Sequence, residues 1–296
     1  MDDTRNNRVN RGYRVQFSSA LGPFQGGLRF DDNVGHGTIK FLAFETVFRN
    51  ALVGEYGGAA GGSDFHPRGK SDAEVMRFCQ SFMTELSHYI GPNVDVPSPG
   101  LGVGSKEIGY MFGQYKRLRR PLSEGSHGVI SGGQFWYPQA TGHGLVHFAE
   151  IALQARGLDL KGKRCVISGS GMTALAVAGK LMEKGAIVLS FSDSSGYIVE
   201  PAGFSLDQLQ VLIELKTNRE SRVGEYIMSS TSAQYFPASK EKVWNVPCDL
   251  AFPCSFQNDI DGKLNSRKCQ YSNVNTFWHC RRNGKDNDEE WMQGSN

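Results

Sequence analysis

Long apolar runs are missing from this sequence of 296 residues, and so is an excess of charge of one sign. No run approaches the roughly 18–20 apolar residues that a membrane-spanning helix needs, and the polar start contains no signal core. Lysine and arginine total 32 against 30 acidic residues, a net charge of +2 that argues against nucleic acid or an anionic membrane as a partner. We expect an intracellular soluble protein, cytoplasmic by default, with an organelle address left open.

The paired C-x-x-C spacing of a structural metal site is also missing, although the sequence contains six cysteines. His279 and Cys280 lie near Cys269, but they match no usual ligand spacing. Scattered cysteines are typical of buried thiols in a reducing compartment. We therefore predict no metal site.

Glycine is abundant instead. The 36 glycines stand well above the average usage of about 7%, and they cluster in short runs that build tight turns or close backbone approaches. An apolar fraction of 39% is enough to fill real cores, and the length predicts roughly two domains. These totals favour small-molecule chemistry.

The first 120 residues combine strand and helix patterns. Residues 13–17 alternate as a half-buried strand does, while apolar residues recur at helical spacing over 38–52 and 71–90. Ser71 is placed to cap the second helix, with Glu74 three residues later to complete a capping box. We expect the aromatic stripes of both helices to pack in the core: Phe41, Phe44, Phe48, Phe78 and Phe82.

A βαβ pattern begins near residue 165, where a short apolar strand runs into Gly169-x-Gly171-x-x-Ala174 and then a helix. In this context the first glycine permits a sharp turn, the second lets a pyrophosphate approach, and helical amides can hold phosphates. The alternative is a glycine turn without a ligand. Residues 249–252 should add a third parallel strand. The residues expected to bind a dinucleotide here are Gly169, Ser170, Gly171, Met172 and Thr173.

Asp193 follows the next strand, at the place where an acidic residue can accept hydrogen bonds from the adenosine ribose. The same carboxylate can instead cap the turn at residues 194–196. The sequence leaves both roles open, and it leaves open whether NAD or NADP is the cofactor.

Four segments carry a dense family resemblance: GPFQGGLRF at 22–30, KFLAFETVFRN at 40–50, GKSDAEVMRFCQSFMTEL at 69–86 and IGYMFGQYKRLR at 108–119. Together with the glycine-rich stretch at 57–62, which looks like an active-site loop, they resemble glutamate dehydrogenases of the Glu/Leu/Phe/Val amino-acid dehydrogenase superfamily, from about residue 9 to 262. The resemblance implies an α/β fold: an amino-acid-dehydrogenase-like substrate domain at 1–140 and a partial Rossmann NAD(P)-binding domain at 141–262. Residues 263–296 look atypical, and we expect a disordered tail there and a truncated family member.

The resemblance also implies an activity, namely oxidative deamination of glutamate to 2-oxoglutarate and ammonia with NAD or NADP. Its partners would be an amino acid and a 2-oxo acid, and homo- or hetero-oligomers with family subunits are implied as well. Thr141 matches the family threonine near the nicotinamide carboxamide, and Asn258 lies in a segment that resembles the one beside the cofactor ribose.

The substrate positions depart from the family. Ala60 stands in place of the catalytic lysine of GG-x-K-GG, and Gly100 in place of the proton-shuttling aspartate, so no catalytic residue is retained. Gln25 and Arg49 replace lysines that grip the two substrate carboxylates. Losing one general acid or base costs about 10²- to 10⁴-fold, so we predict impaired or altered catalysis. A non-catalytic dinucleotide-binding or oligomer-modulating pseudoenzyme and a defective gene product are the alternatives.

Overall fold

The computed structural model of the protein describes residues 2–52, 54–119, 139–218, 221–238, 242–255, 259 and 278–279. The chain divides into two compact units, residues 1–136 and 137–296. Each unit contains its own hydrophobic core. Among the described residues, no helix has both the length and the apolarity that crossing a bilayer requires.

The first unit is a four-stranded mixed sheet with helices packed against it. The strands are β1 (Gly12–Ser18), β2 (Phe24–Phe30), β3 (Gly58–Ser63) and β4 (Asp95–Ser98), in the order β1-β3-β2-β4. The strand β3 runs antiparallel to β1 and parallel to β2, and β2 is parallel to β4. The helices are α1 (His36–Ala51), α2 (Asp72–Leu86) and α3 (Ser105–Arg119).

The glycine-rich stretch that resembles an active-site loop is the inner strand β3, and all six of its residues are buried. Its small side chains let α1 lie directly on the sheet. A Cβ atom added at Gly58 would stand 2.3 Å from Cγ2 of Val47. Because glycine is a poor strand former, sequence propensity points to a loop, and tertiary packing overrides it.

The aromatic stripe of α1 does not pack in the core, so that prediction was wrong. Phe41, Phe44 and Phe48 are 62%, 44% and 60% exposed. Close approach to β3 leaves room only for a narrow helical face, and that face consists of Ile39, Ala43, Thr46 and Asn50. On α2, by contrast, Phe78 and Phe82 pack against a buried cluster.

The first turn of α2 is capped from two directions. As predicted, the Ser71 hydroxyl accepts a hydrogen bond from the Glu74 amide, at 3.2 Å. The Ser71 amide, which was expected to donate to the Glu74 carboxylate, donates instead to the Asp3 carboxylate, at 3.1 Å. Glu74 instead accepts from the Asp3 amide and from Lys70. The start of the chain is thereby fastened to α2.

A buried ion pair connects the two outer strands of the first sheet. The guanidinium of Arg14 on β1 donates through Nε and Nη2 to the carboxylate of Asp95 on β4, and the Nε bond measures 2.8 Å. The two side chains are 7% and 0% exposed. Gln16 donates to the same carboxylate at 3.0 Å, which adds a third hydrogen bond to the buried charge.

The second unit is built on a six-stranded sheet. Its strands are β5 (Arg164–Ser168), β6 (Ile187–Asp193), β7 (Gly196–Val199), β8 (Gln234–Pro237), β9 (Leu250–Pro253) and β10 (Trp278–His279), in the order β10-β9-β5-β6-β7-β8. The predicted parallel strand near residue 250 is confirmed, since β9 pairs parallel with β5. The helices are α4 (Ala140–Gln154), α5 (Met172–Glu183), α6 (Leu206–Asn218), a 3₁₀ helix (Val223–Ser229) and a short 3₁₀ turn (Val243–Asn245); the name 3₁₀ helix is kept for Val223–Ser229.

Candidate functional site

The turn between β5 and α5 requires glycine at its first position. Gly169 has a φ of +81°, and a Cβ atom there would lie 2.6 Å from the carbonyl oxygen of Cys254. Because of either feature, a residue with a side chain could not occupy this position without strain. The turn is fixed to β6 as well, because the Gly169 amide donates to the Ser192 hydroxyl at 2.8 Å.

The second glycine of the turn leaves open space. Gly171 is the N-cap of α5, and a Cβ atom added to it would meet nothing within 4 Å. No side chain caps this helix, and the amides of residues 172–174 donate to no described residue. Amides at a helix start that lack acceptors form an anion-binding site, and the helix dipole adds to the attraction. Ser170 is buried in the turn, while Met172 is exposed beside it.

Helix α4 begins directly against α5. A Cβ atom at Gly142 would lie 2.7 Å from Cβ of Ala176 and 2.9 Å from the carbonyl oxygen of Thr173. The predicted nicotinamide-site residue, Thr141, directly precedes this contact with the first turns of α5. Asn258 lies outside the described residues, but its neighbour Asp259 accepts a hydrogen bond from Ser168 at the end of β5.

Asp193 ends β6 with a carboxylate whose acceptor sites are filled. One oxygen accepts from the amide and the hydroxyl of Ser195, at 2.8 and 2.6 Å. The other accepts from the Val223 amide at 2.9 Å and faces the Lys216 ammonium at 3.5 Å. Burial raises the pKa of Asp193, but these hydrogen bonds and the lysine charge outweigh it, so the net pKa is lowered. Asp193 therefore caps the turn at residues 194–196, which is one of the two roles that the sequence left open.

Sequence reasoning missed two cationic side chains that lie near Asp193, at the carboxyl end of β6. Lys216, near the end of α6, lies beside Asp193, and the exposed Arg222 donates to the Ser194 hydroxyl. The Arg222 amide is held by the Glu225 carboxylate at 3.1 Å. No motif spacing links residues 194, 216 and 222. Only the placement of α6 and the 3₁₀ helix beside β6 brings them together.

In the first unit, the two residues expected to bind the substrate carboxylates lie on neighbouring elements, Gln25 on β2 and Arg49 on α1. Asn50 at the end of α1 donates to the backbone carbonyls of Gln25, at 3.2 Å, and of Gly57, at 2.6 Å. Arg49 precedes it on the exposed side of the helix, and its Nη2 lies 3.4 Å from the Thr46 hydroxyl. The residues expected to bind the substrate carboxylates therefore offer one guanidinium, that of Arg49, and one neutral amide, that of Gln25, near the contact between α1 and β2.

Ala60 and Gly100, which the resemblance aligns with the family's catalytic residues, differ in their surroundings: Ala60 is buried and Gly100 is exposed. Ala60 on β3 is 3% exposed and packs in an apolar cluster with Val34, Ile39 and Ala43. At Gly100, an added Cβ atom would lie 2.2 Å from the carbonyl oxygen of Leu28. No side chain at either position can supply or accept a proton. Among the described residues, no group of three histidine, cysteine or acidic side chains is arranged to hold a metal ion.

These features define a class. A parallel βαβ core with a glycine turn and an uncapped helix start is a dinucleotide-binding unit of the Rossmann type, and it follows an α/β unit with its own core. The sequence model for the Glu/Leu/Phe/Val dehydrogenase dimerisation domain matches residues 1–117. The model for the glutamate/leucine/phenylalanine/valine dehydrogenases matches residues 132–274. The chain belongs to this amino-acid dehydrogenase family.

Individual relatives agree with this assignment. The NADP-specific glutamate dehydrogenase of Chlorella sorokiniana is 50% identical over 285 residues, which cover 92% of this chain and 53% of that protein. The NAD-specific glutamate dehydrogenase of Bacteroides fragilis is 44% identical over 270 residues, which cover 89% of this chain and 59% of the relative. The crystal structure of Plasmodium falciparum glutamate dehydrogenase superimposes with a TM-score of 0.83 at 45% identity, covering 90% of this chain and 57% of that one.

The matches refine the limits of the resemblance. The two family matches cover residues 1–117 and 132–274, and so extend at both ends beyond the stretch of about 9–262 expected from the motifs. The chain spans between half and two thirds of the length of the relatives it matches. Two residues of the expected tail, Trp278–His279, form the short strand β10 beside β9.

Proposed function

We propose that this chain is a glutamate-dehydrogenase-like protein that binds NADP in its second unit, and whose oxidative deamination of glutamate is impaired. The observation that supports the proposal is the contrast between an open glycine turn at Gly171 and the lack of a titratable side chain at Ala60 and Gly100. The dinucleotide therefore has a place, whereas the proton chemistry of the reaction has no donor or acceptor at the family positions.

The preference for NADP over NAD is argued from Asp193. An ionised carboxylate offers about four lone-pair sites, and four donors already face those of Asp193. It therefore has little capacity left for ribose hydroxyls. The neighbouring Arg222 is exposed and always charged, which suits a phosphorylated ribose. Several relatives are named as NADP-specific, including those of Chlorella sorokiniana and Helicobacter pylori.

The cofactor proposal is tested by calorimetric titration of NADPH and NADH into the purified chain and its Arg222→Ala variant. Removing one charge-assisted hydrogen bond to a phosphate costs about 1.5–3 kcal/mol, so NADPH affinity should fall roughly tenfold or more. NADH affinity should change little. Lys184→Ala is the matched control, because that lysine pairs with Glu150 on α4. An equal loss for both cofactors would contradict a phosphate contact.

Impaired turnover follows from the loss of an ammonium and a carboxylate at one reaction centre. In such a site the ammonium polarises the carbonyl, and the carboxylate moves a proton to or from the amine. Groups that act as a unit do not contribute additively, so the total loss is at least that of one group, about 10²-fold. A steady-state assay of glutamate with NADP or NAD, across a broad pH range, measures this loss. Turnover at a rate typical of enzymes, about 10 s⁻¹, would contradict it.

A second candidate function, the modulation of an oligomer, is favoured by the exposed aromatic face of α1. The rings of Phe44 and Phe48 lie 5.0 Å apart, and Phe17 on β1 lies 5.6 Å from Phe44. A contiguous exposed apolar patch marks an interaction surface. The family model that matches this unit is described as a dimerisation domain. We propose that another family subunit covers this face.

Sedimentation of the double variant Phe44→Ser/Phe48→Ser tests the oligomer proposal. The unaltered chain should sediment as an oligomer and the variant as a smaller species. Phe148→Ser is the matched control, since Phe148 is equally exposed but lies in the second unit. Unchanged sedimentation of the double variant would exclude this face as the contact.

A further inference from the structure

Glu200, directly after β7, is a buried carboxylate at the centre of a hydrogen-bond cluster. It is 1% exposed. One oxygen accepts from the side-chain Nε2 of Gln208 at 3.1 Å, the Tyr226 hydroxyl at 3.0 Å and the Ser230 hydroxyl at 2.5 Å. The other accepts from the Ser232 hydroxyl at 2.6 Å. Burial, together with the hydrogen bond to Glu200, raises the pKa of Tyr226.

All four donors to Glu200 are neutral, and no described cation pairs with it. Burying a carboxylate costs free energy unless strong hydrogen bonds compensate, and an apolar residue of similar size would pack at lower cost. Such a group is useful where it fixes one arrangement of the elements around it.

Three of the four donors lie in or directly after the two elements that carry Lys216 and Arg222, and the fourth, Ser232, lies between the 3₁₀ helix and β8. Gln208 lies in the first turn of α6, and Lys216 lies near the end of the same helix. Tyr226 lies in the 3₁₀ helix and Ser230 directly follows it, while Arg222 is the N-cap of that helix. Val223, the first residue of the 3₁₀ helix, holds Asp193 through its amide.

We infer that Glu200 is a positioning residue for cofactor selectivity. By fixing α6 and the 3₁₀ helix to the end of β7, it holds Lys216 beside Asp193 and Arg222 beside Ser194, where a ribose phosphate would lie. The inference rests on the proposed NADP site. Glu200 would not touch the cofactor, and its effect would reach only the phosphorylated ribose, because the glycine turn belongs to β5 and α5.

The test is a comparison of NADPH and NADH affinities for the chain and its Glu200→Ala variant, by calorimetric titration. The NADPH affinity should fall about tenfold, while the NADH affinity changes less than about twofold, so the selectivity ratio itself shifts. Glu200→Gln should restore most of the ratio, because its amide keeps one acceptor and the serine hydroxyls can turn to accept from its NH₂ group.

Leu153→Ala serves as the control for general destabilisation, since Leu153 is buried in the core of the same unit but belongs to α4. It should lower the melting temperature without shifting the ratio. Ser232→Ala removes the hydroxyl that donates to the second carboxylate oxygen, and it should shift the ratio in the same direction by a smaller amount. This milder variant decides the question if Glu200→Ala does not fold.

The outcomes separate the two proposals. An unaltered chain that binds neither dinucleotide, or both alike, would overturn the proposed function and the inference with it. A chain that prefers NADPH, and keeps that preference in Glu200→Ala or Ser232→Ala, would overturn the role of Glu200 alone. A ratio that shifts equally in Leu153→Ala would show that loss of stability, and not positioning, is responsible.

Discussion

The two units differ at the positions where the resemblance implies a site. In the first, the resemblance aligns Ala60 and Gly100 with the family's ammonium and carboxylate; Ala60 is buried in an apolar cluster, and a Cβ atom at Gly100 would meet the Leu28 carbonyl. In the second, Gly171 borders open space and the first amides of α5 find no acceptor among the described residues. A site that binds by backbone amides needs few side chains, whereas acid–base chemistry depends on individual ones. Under the proposed function, the second unit would therefore still bind a dinucleotide while turnover in the first is impaired.

The largest expected effect is a loss of stability in the first unit alone. Asp95→Asn leaves the Arg14 guanidinium buried without its carboxylate, which should cost about 3–5 kcal/mol. Hydrogen exchange should show the loss in β1 and β4 while the second unit keeps its protection. Arg77→Ala, which loses a partly exposed pair with Asp3, is the matched control. Similar loss in both units would mean that they do not unfold separately.

The two glycines of the nucleotide turn should respond in opposite ways. Gly169→Ala combines a left-handed φ with a clash against a backbone carbonyl, so we expect a loss of about 2–4 kcal/mol in unfolding free energy. Gly171→Ala has an ordinary φ of −80° and free space, so stability should change by less than about 1 kcal/mol. Its NADPH affinity should nevertheless fall, since the methyl group occupies the approach of the pyrophosphate. Unchanged affinity would place the dinucleotide elsewhere.

Gly100 offers a test of whether this position can accept a side chain. Gly100→Ala should destabilise the first unit by about 1–3 kcal/mol, because its Cβ atom would meet the Leu28 carbonyl. Gly113→Ala on α3 meets nothing within 4 Å and should stabilise by up to about 1 kcal/mol. For the same reason, the triple reversion Ala60→Lys, Gly100→Asp, Gln25→Lys should not restore full turnover. A stable, fully active triple variant would contradict this steric limit at Gly100.

The smallest expected effect is a pH dependence of the second unit. The pKa of Asp193 is lower in the folded chain than in the unfolded one, so its stabilising contribution is complete above the ordinary carboxylate pKa of about 3.9. The contribution is lost as the pH falls through the folded pKa. Urea unfolding at several pH values should therefore show a smaller acid-dependent loss for Asp193→Asn than for the unaltered chain. Parallel pH profiles would contradict the hydrogen bonds drawn to Asp193.

The sequence predicted what depends on local patterns. The glycine turn, the Ser71 cap and the parallel strand β9 follow from spacing and capping chemistry. It failed where packing decides. Glycines and alanines read as a loop, but β3 is an inner strand, and the aromatic residues of α1 face outward because small residues take the buried face. The Glu200 cluster and the cations at residues 216 and 222 have no local signature, since only tertiary structure assembles them.

The central claim is that this chain keeps its dinucleotide and has lost its chemistry. The most direct measurement is a titration of NADPH followed, on the same purified sample, by a glutamate turnover assay. The account predicts saturable NADPH binding together with turnover reduced by at least about 10²-fold from the typical enzyme rate of about 10 s⁻¹. Turnover at that typical rate, or the absence of NADPH binding, would contradict it.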